Sequence, residues 1–297
     1  MFKRNDLPAA ICLAVVSAVL AGACTDPPKH DPGLTTPAAT SKFPNWPVKL
    51  DNFRFRWSAE PGIDLFTGPA VPVRAYLESH RTGDYTLEPT AVYPGFDEAV
   101  APGPKRPEEQ AVTDFQLQNI RPNTPYDSAY KPSDGVYGNE YFHVLELSEI
   151  KDGYRAYVCD GYYKVFQDHN GKYIPISTGG KPDTVKLGPT GVKVWRIEFT
   201  GHLSTDSVLQ QKGPNPAPLD NVFGDWRITG ADSDGYWGSW KQKSETDPRD
   251  AEVMDRLTRC GNLMPDNAQQ RADYYTGERD TLPPVEPAVP GWPDNPV

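Results

Sequence analysis

Methionine and cysteine are scarce, at three and four in 297 residues. With so few cysteines the chain is no cysteine-knit miniprotein, and its core has little thioether to draw on. No apolar run reaches the ~20 residues that a comfortable transmembrane helix needs. The longest, Ala9 to Ala23, is broken by Ser17 and Gly22. Basic residues are outnumbered, with 30 Lys and Arg against 40 Asp and Glu and a net charge of −10. That balance excludes nucleic acid as a natural partner, because phosphate binding needs a basic surface. The Walker loop, Gly-x-Gly-x-x-Gly, Gly-x-Ser-x-Gly and His-Glu-x-x-His are all absent from the sequence, and no repeat of fixed period is visible.

Proline, in contrast, is abundant. There are 32 prolines, about twice the ordinary ~5%. A long helical bundle or coiled coil cannot carry so many. The aromatic share of 11% is nonetheless too high for a wholly disordered chain.

The N-terminus is the most informative stretch. Lys3 and Arg4 precede the apolar run, and Ala21-Gly22-Ala23-Cys24 closes it. This is the shape of an export signal with a small-residue cleavage site. Leu20-Ala21-Gly22-Ala23-Cys24 resembles the lipobox of bacterial lipoproteins of actinobacterial type. The resemblance implies a diacylglyceryl group on the Cys24 thiol, cleavage before that residue, and a protein held at the extracytoplasmic face of the cell membrane. Ala21-Gly22-Ala23 also fits the A-x-A pattern of ordinary secretion, which stays open as an alternative. Loss of Lys3, Arg4 and Asp6 with residues 1–23 would move the net charge from −10 to −11. An anionic membrane repels such a body, so a two-chain lipid is what would keep it there.

An export signal takes Cys12 away and the lipobox resemblance makes Cys24 the lipid acceptor, which would leave Cys159 and Cys260. In an oxidising compartment the simplest expectation is a disulfide between them. A zinc or redox site is the other reading, but there is no C-x-x-C and no histidine within four residues of either cysteine.

Residues 24–49 read as a tether. Its prolines favour extended polyproline II, enough to span up to ~70 Å. Residues 278–297 mirror it as a proline-rich tail, expected to be irregular or disordered. Between them, residues 50–277 read as a single α+β domain. Asn52–Trp57 alternates like a strand, and Pro69–His80 has helical spacing after a Thr-Gly-Pro start. A short helix is expected at Glu108–Gln118. Glu140–Ile150 alternates, placing Tyr141, His143, Leu145 and Leu147 on one face. Lys151-Asp152-Gly153 supplies a hairpin turn to Tyr154–Gln167. Tyr173–Ile176, Gly191–His202 and Asn221–Thr229 complete an antiparallel, curved sheet of four to five strands with helices on one face. The helices are expected at Pro248–Arg259, stopped by Gly261, and at Asp266–Tyr275. This order of elements resembles the NTF2-like (cystatin-like) cone, which implies a pocket inside the curved sheet.

Chemistry is thin. His143 with Asp160 or Tyr157 would be the proton-transfer pair that the cone resemblance implies. Trp226, Tyr236, Trp237 and Trp240 cluster around Gly235 and Gly238, so Trp237 and Trp240 are candidates for a sugar-stacking or protein-binding platform. Ser128-Ala129-Tyr130-Lys131 lacks the later Lys-Thr-Gly of an acyl-serine site. Asp232-Ser233-Asp234-Gly235 starts like a calcium loop but meets Lys243 at the twelfth position, so an Asx turn is the simpler reading. No cofactor or metal is expected. The residues point to a non-catalytic binding or assembly role at the cell envelope, with an envelope protein or glycan as partner. A small-ligand or proton-transfer protein of NTF2-like kind is the alternative. A prophage superinfection-exclusion lipoprotein is a third reading, on lipobox analogy.

Overall fold

Alternation of large apolar and polar residues builds the first strand, β1 (Asn52–Ala59), whose Phe53, Phe55 and Trp57 all face inward. The computed structural model describes residues 43–122, 135–176, 190–201, 210–233, 235–241 and 252–294. After β1 come α1 (Ala70–Thr86) and three single helical turns, α2 (Phe96–Ala99), α3 (Pro107–Gln110) and α4 (Phe115–Gln118). The sheet continues through β2 (Val136–Ile150), β3 (Gly153–His169), β4 (Lys172–Pro175), β5 (Val192–Thr200) and β6 (Arg227–Asp232). α5 (Val253–Leu263) and α6 (Ala268–Tyr275) follow. Among the described residues no helix is long and apolar enough to cross a membrane.

The class is α+β, as expected, but the sheet is larger and mixed. It has six strands in the order β1-β2-β3-β5-β6, with β4 also on β3. β3 is long enough to serve two partners, β5 along Tyr154–Gly161 and β4 along Phe166–His169. All pairings are antiparallel except β1 with β2. A parallel pair needs a long crossover, and α1 with the loops after it provides one. Local alternation shows that β1 is a strand but cannot show which strand it joins.

Period-two alternation sorts the residues of β3 to opposite faces. Ala156 and Val158 join the larger core with Phe53, Phe142, Trp195, Ile197 and, from α1, Val73, Tyr76 and Leu77. Tyr157 and Cys159 join a smaller core with Val192, Val194, Cys260 and Met264. Helices therefore cover both faces of the sheet, α1 on one and α5 and α6 on the other, instead of only one. In β2 the register shifts between Val144 and Glu146. The inserted residue breaks the alternation, so Leu147 packs with the α1 core while Tyr141 and Leu145 stay on the disulfide side. Gly138, at φ +103°, lies beside another register shift, and a Cβ there would strike the Lys164 carbonyl.

Helix boundaries shift for local reasons. α1 runs past His80 to Thr86 although Arg81, Thr82, Gly83 and Asp84 offer no apolar face. Thr82 and Thr86 bond back to the carbonyls of Glu78 and Thr82, and Arg81 is paired across the core. The helix expected at Glu108–Gln118 is two separate turns. The last strand begins at Arg227, because Asn221 instead forms an Asx turn to the N–H groups of Phe223 and Gly224. Asp247 and Pro248, the expected cap of α5, lie outside the described residues. Gly261 sits inside α5, which stops before Pro265. α6 opens with a capping box between Asn267 and Gln270.

The domain also extends past its expected limits. Trp46 is buried in the α1 core. Residues 278–294 carry no helix, yet they pack on the domain as a strap. Val289 bridges Arg56 alongside β1, Gly291 and Trp292 bridge Gly213 and Asn215, and Trp292 is fully buried. The strap accepts the Trp57 N–H on the outer edge of β1. On the outer edge of β6, the Ala101 N–H donates to Ile228.

Candidate functional site

The residues singled out in the sequence do not converge on one pocket. His143 and Asp160 are on opposite faces of the sheet, since Cys159 is the register partner of His143 and Asp160 that of Phe142. The expected His143–Asp160 proton-transfer pair is thus broken by the same alternation that builds the sheet. Tyr157 shares the disulfide face, where Arg256 of α5 stacks 3.6 Å from its ring centroid.

Asp160 belongs to a buried ionic cluster beneath α1. Arg81 Nε donates to Glu140 Oε1 at 2.7 Å, and its Nη2 lies 3.0 Å from Asp160 Oδ2. Trp195 Nε1 donates to the same Asp160 oxygen at 2.9 Å. Glu140 and Asp160 are both fully buried. Burial pushes the Glu140 carboxyl well above the usual carboxylate range; Arg81 opposes this, and a hydrogen bond to Asp160 reinforces it. Burial works against the Arg81 charge, but Asp160 and Glu140 outweigh it and hold the guanidinium ionised. Two carboxyls facing one guanidinium is the arrangement in which one carboxyl keeps its proton. Nothing in the sequence marks Glu140 or Arg81, because their meeting depends on how α1 crosses the sheet.

A second buried hub lies further along α1. Glu78 accepts from Trp57 Nε1 at 2.7 Å, from the Tyr93 hydroxyl at 2.9 Å and from Trp292 Nε1 at 2.7 Å. Arg74 stacks 4.3 Å from the Trp292 ring and donates to the carbonyls of Leu65, Gln211 and Pro290. Burial raises the Glu78 carboxyl to about 6, with Arg74 and the three donors opposing. Burial also lowers Arg74 to about 10, which leaves it charged at neutral pH.

On the opposite face, Cys159 and Cys260 form the expected disulfide, with Cα atoms 5.2 Å apart across 101 residues. It pins α5 to β3. Beside it, Arg256 sits on Tyr157 and pairs with Glu146 and Glu252, while Arg196 sits 3.9 Å from the Trp237 ring. Tyr157, Val194, Arg196, Tyr236, Val253 and Arg256 line a cleft of about 10 Å³, room for about one water. Trp226 is part of the core, whereas Trp237 and Trp240 are half-buried. Asp232 accepts from the Tyr236 N–H, four residues on, and Asp234 lies outside the described residues. Among the described residues no group of three His, Cys, Asp or Glu is arranged to hold a metal ion.

His143 itself is held by β1. Ser58 Oγ lies 2.8 Å from its Nδ1, and Glu60 Oε1 lies 3.6 Å from its Nε2. A roomier hollow of about 370 Å³ opens elsewhere, lined by Pro102, Gly103, Lys105, Gln118 and Arg121 among others. Arg121 is committed there to Asp97 and to the carbonyls of Val100 and Ala101. Cys24, Ser128, Lys131, His30 and His202 lie outside the described residues. Compared with known proteins, the chain matches no protein family, no curated protein and no solved structure.

Proposed function

We propose that this chain is an exported envelope protein, held at the extracytoplasmic face of the cell membrane by a diacylglyceryl group on Cys24. Its α+β domain then stands on a proline-rich stalk as a binding or assembly module. The Cys159–Cys260 disulfide carries the reading, because such bridges persist in oxidising compartments that an export signal reaches. Recognition is assigned to the face beside that disulfide. There Arg256 lies over Tyr157 and Arg196 over Trp237, each guanidinium paired with a glutamate, and the half-buried Trp237 offers an aromatic contact suited to an envelope protein or a glycan. The shallow cleft suits surface recognition better than enclosure of a small molecule. An NTF2-like small-ligand or proton-transfer role is the second reading. The buried Arg81–Glu140–Asp160 cluster favours it, since displaced carboxyl titration gathers at functional sites.

The test is fractionation and intact-mass measurement of the chain expressed in a host that exports lipoproteins. The expected product sits in the membrane fraction, begins at Cys24, carries acyl mass, and has no free thiol. Cys24→Ala should leave the membrane fraction. If Cys24→Ala sediments with membranes to the same extent as the wild type, the anchor assignment is wrong.

A further inference from the structure

One array on the disulfide-bearing side of the sheet is not used by the binding role: a hydroxyl, an imidazole and a carboxylate in sequence. The parallel pairing of β1 and β2 sets Ser58 directly beside His143, although 85 residues separate them. Glu60 follows the end of β1 and is fixed by its own N–H, which donates to the Val144 carbonyl at 3.0 Å. Its carboxylate stands 3.6 Å from His143 Nε2, and the Ser58 hydroxyl 2.8 Å from Nδ1. Exposure is graded along the array. The His143 side chain is 8% exposed and that of Glu60 35%, while Ser58 is open to solvent. On β3 the register partner of His143 is Cys159, whose disulfide holds that strand against α5.

In the tautomer with the proton on Nε2, the side facing Glu60, Nδ1 carries the lone pair that accepts the Ser58 O–H. Burial pushes the imidazole below its ordinary range, with Glu60 as the charged group pulling the other way. The ring is therefore uncharged at neutral pH and free to take a proton.

We propose that Ser58 is a nucleophile toward uncharged carboxylic esters, with His143 as its general base and Glu60 as the residue that positions His143. In the first step Ser58 Oγ bonds to the ester carbonyl carbon while its proton passes to His143 Nδ1. The carbon–alkoxide bond then breaks, and His143 returns the proton to the departing oxygen, releasing the alcohol. Water repeats the sequence on the acyl-serine and restores the Ser58 hydroxyl with release of the carboxylic acid. No cofactor or oxidant enters the balance. The substrate is uncharged because Glu60 disfavours an anion nearby.

The test uses the full chain and a fluorophosphonate probe at pH 8, with peptide mapping by mass spectrometry. The expected result is one adduct, on Ser58. Its formation rate should rise with pH to a plateau, with a midpoint below 6.5. His143→Gln should slow labelling by a factor of about 100 or more, the scale of general-base assistance. Glu60→Gln should slow it less and move the midpoint lower still, because the pull of Glu60 on the imidazole is gone. A folded chain that leaves Ser58 unlabelled overturns the proposal, as does labelling that is equally fast in His143→Gln. Because His143 is buried, a second readout is needed that keeps the histidine. The thiol introduced by Ser58→Cys should react with iodoacetamide at pH 6.5 at least about tenfold faster than a free cysteine, through its imidazole-stabilised thiolate. Equal rates would also overturn the assignment.

Discussion

The indole N–H of Trp292 donates to the Glu78 carboxylate at 2.7 Å, across 214 residues of chain. One bond thus ties the C-terminal strap to the centre of α1. Trp57 from β1 and Tyr93 from the loop after α1 complete the same carboxylate. Trp292→Ala removes a fully buried ring and one of the donors on a buried charge. It should destabilise the domain by about 3–5 kcal/mol, the usual range for a buried aromatic truncated to alanine. Urea unfolding would measure this, and a loss below ~1 kcal/mol would mean that the strap is an accessory.

The same carboxylate makes stability depend on pH. Its folded-state pKa, about 6, lies above the unfolded value, so the native state holds the proton more tightly. The stability from Glu78 is complete below about pH 4.5 and is lost as pH rises through about 6. The loss is about 2 kcal/mol for a shift of this size. Glu78→Gln cannot titrate. The stability difference between wild type and Glu78→Gln should therefore change by that amount between pH 4.5 and 7, in the direction that disfavours the wild type at the higher pH. Denaturant titrations at the two pH values read it directly.

Arg81 is the counter-charge for two buried carboxyls. Arg81→Met should cost about 3–5 kcal/mol at pH 7, the scale for breaking a buried ion pair from one side. Burial holds the Glu140 carboxyl above the ordinary carboxylate range, so the cost should shrink as pH falls and Glu140 takes a proton. Adding Glu140→Gln and Asp160→Asn to Arg81→Met should recover part of the loss at pH 7. No recovery would show that Arg81 acts through packing against Tyr85 and Tyr162.

Replacing Cys159 and Cys260 together by alanine releases α5 from β3. A bridge spanning 101 residues stabilises by up to about 4.7 kcal/mol in the chain-entropy model, and removal of native bridges typically costs about 2–5 kcal/mol. Thermal unfolding of the double variant should drop by roughly 2–4 °C per kcal/mol for a domain of this size. Hydrogen exchange should show the loosening concentrated in α5.

The strands and their turns were largely legible in the chain. The Lys151-Asp152-Gly153 hairpin follows from local chemistry, and the pairing of Cys159 with Cys260 from setting aside Cys12 and Cys24 as an export signal and a lipobox imply. What escaped is non-local. The parallel partner of β1 is set by a crossover through α1, and that pairing is what brings Ser58 to His143. The single inserted residue at Leu145 moved Leu147 to the other face, which no alternating pattern announces. α1 read as ending at His80 because its next residues are polar. Arg81, Thr82 and Thr86 are buried nonetheless, Arg81 through an ion pair to a residue distant in sequence and the threonines through helical back-bonds. The strap read as a loose tail because proline-rich composition shows the lack of regular structure, not the lack of packing.

A row of unpaired amides invites a neighbouring molecule to extend the sheet and begin a fibril. In this domain both outermost strands meet an irregular stretch of the same chain, Val289 along β1 and Ala101 along β6. Many copies crowded onto one surface would then meet side chain to side chain, with little open backbone at those positions through which to polymerise.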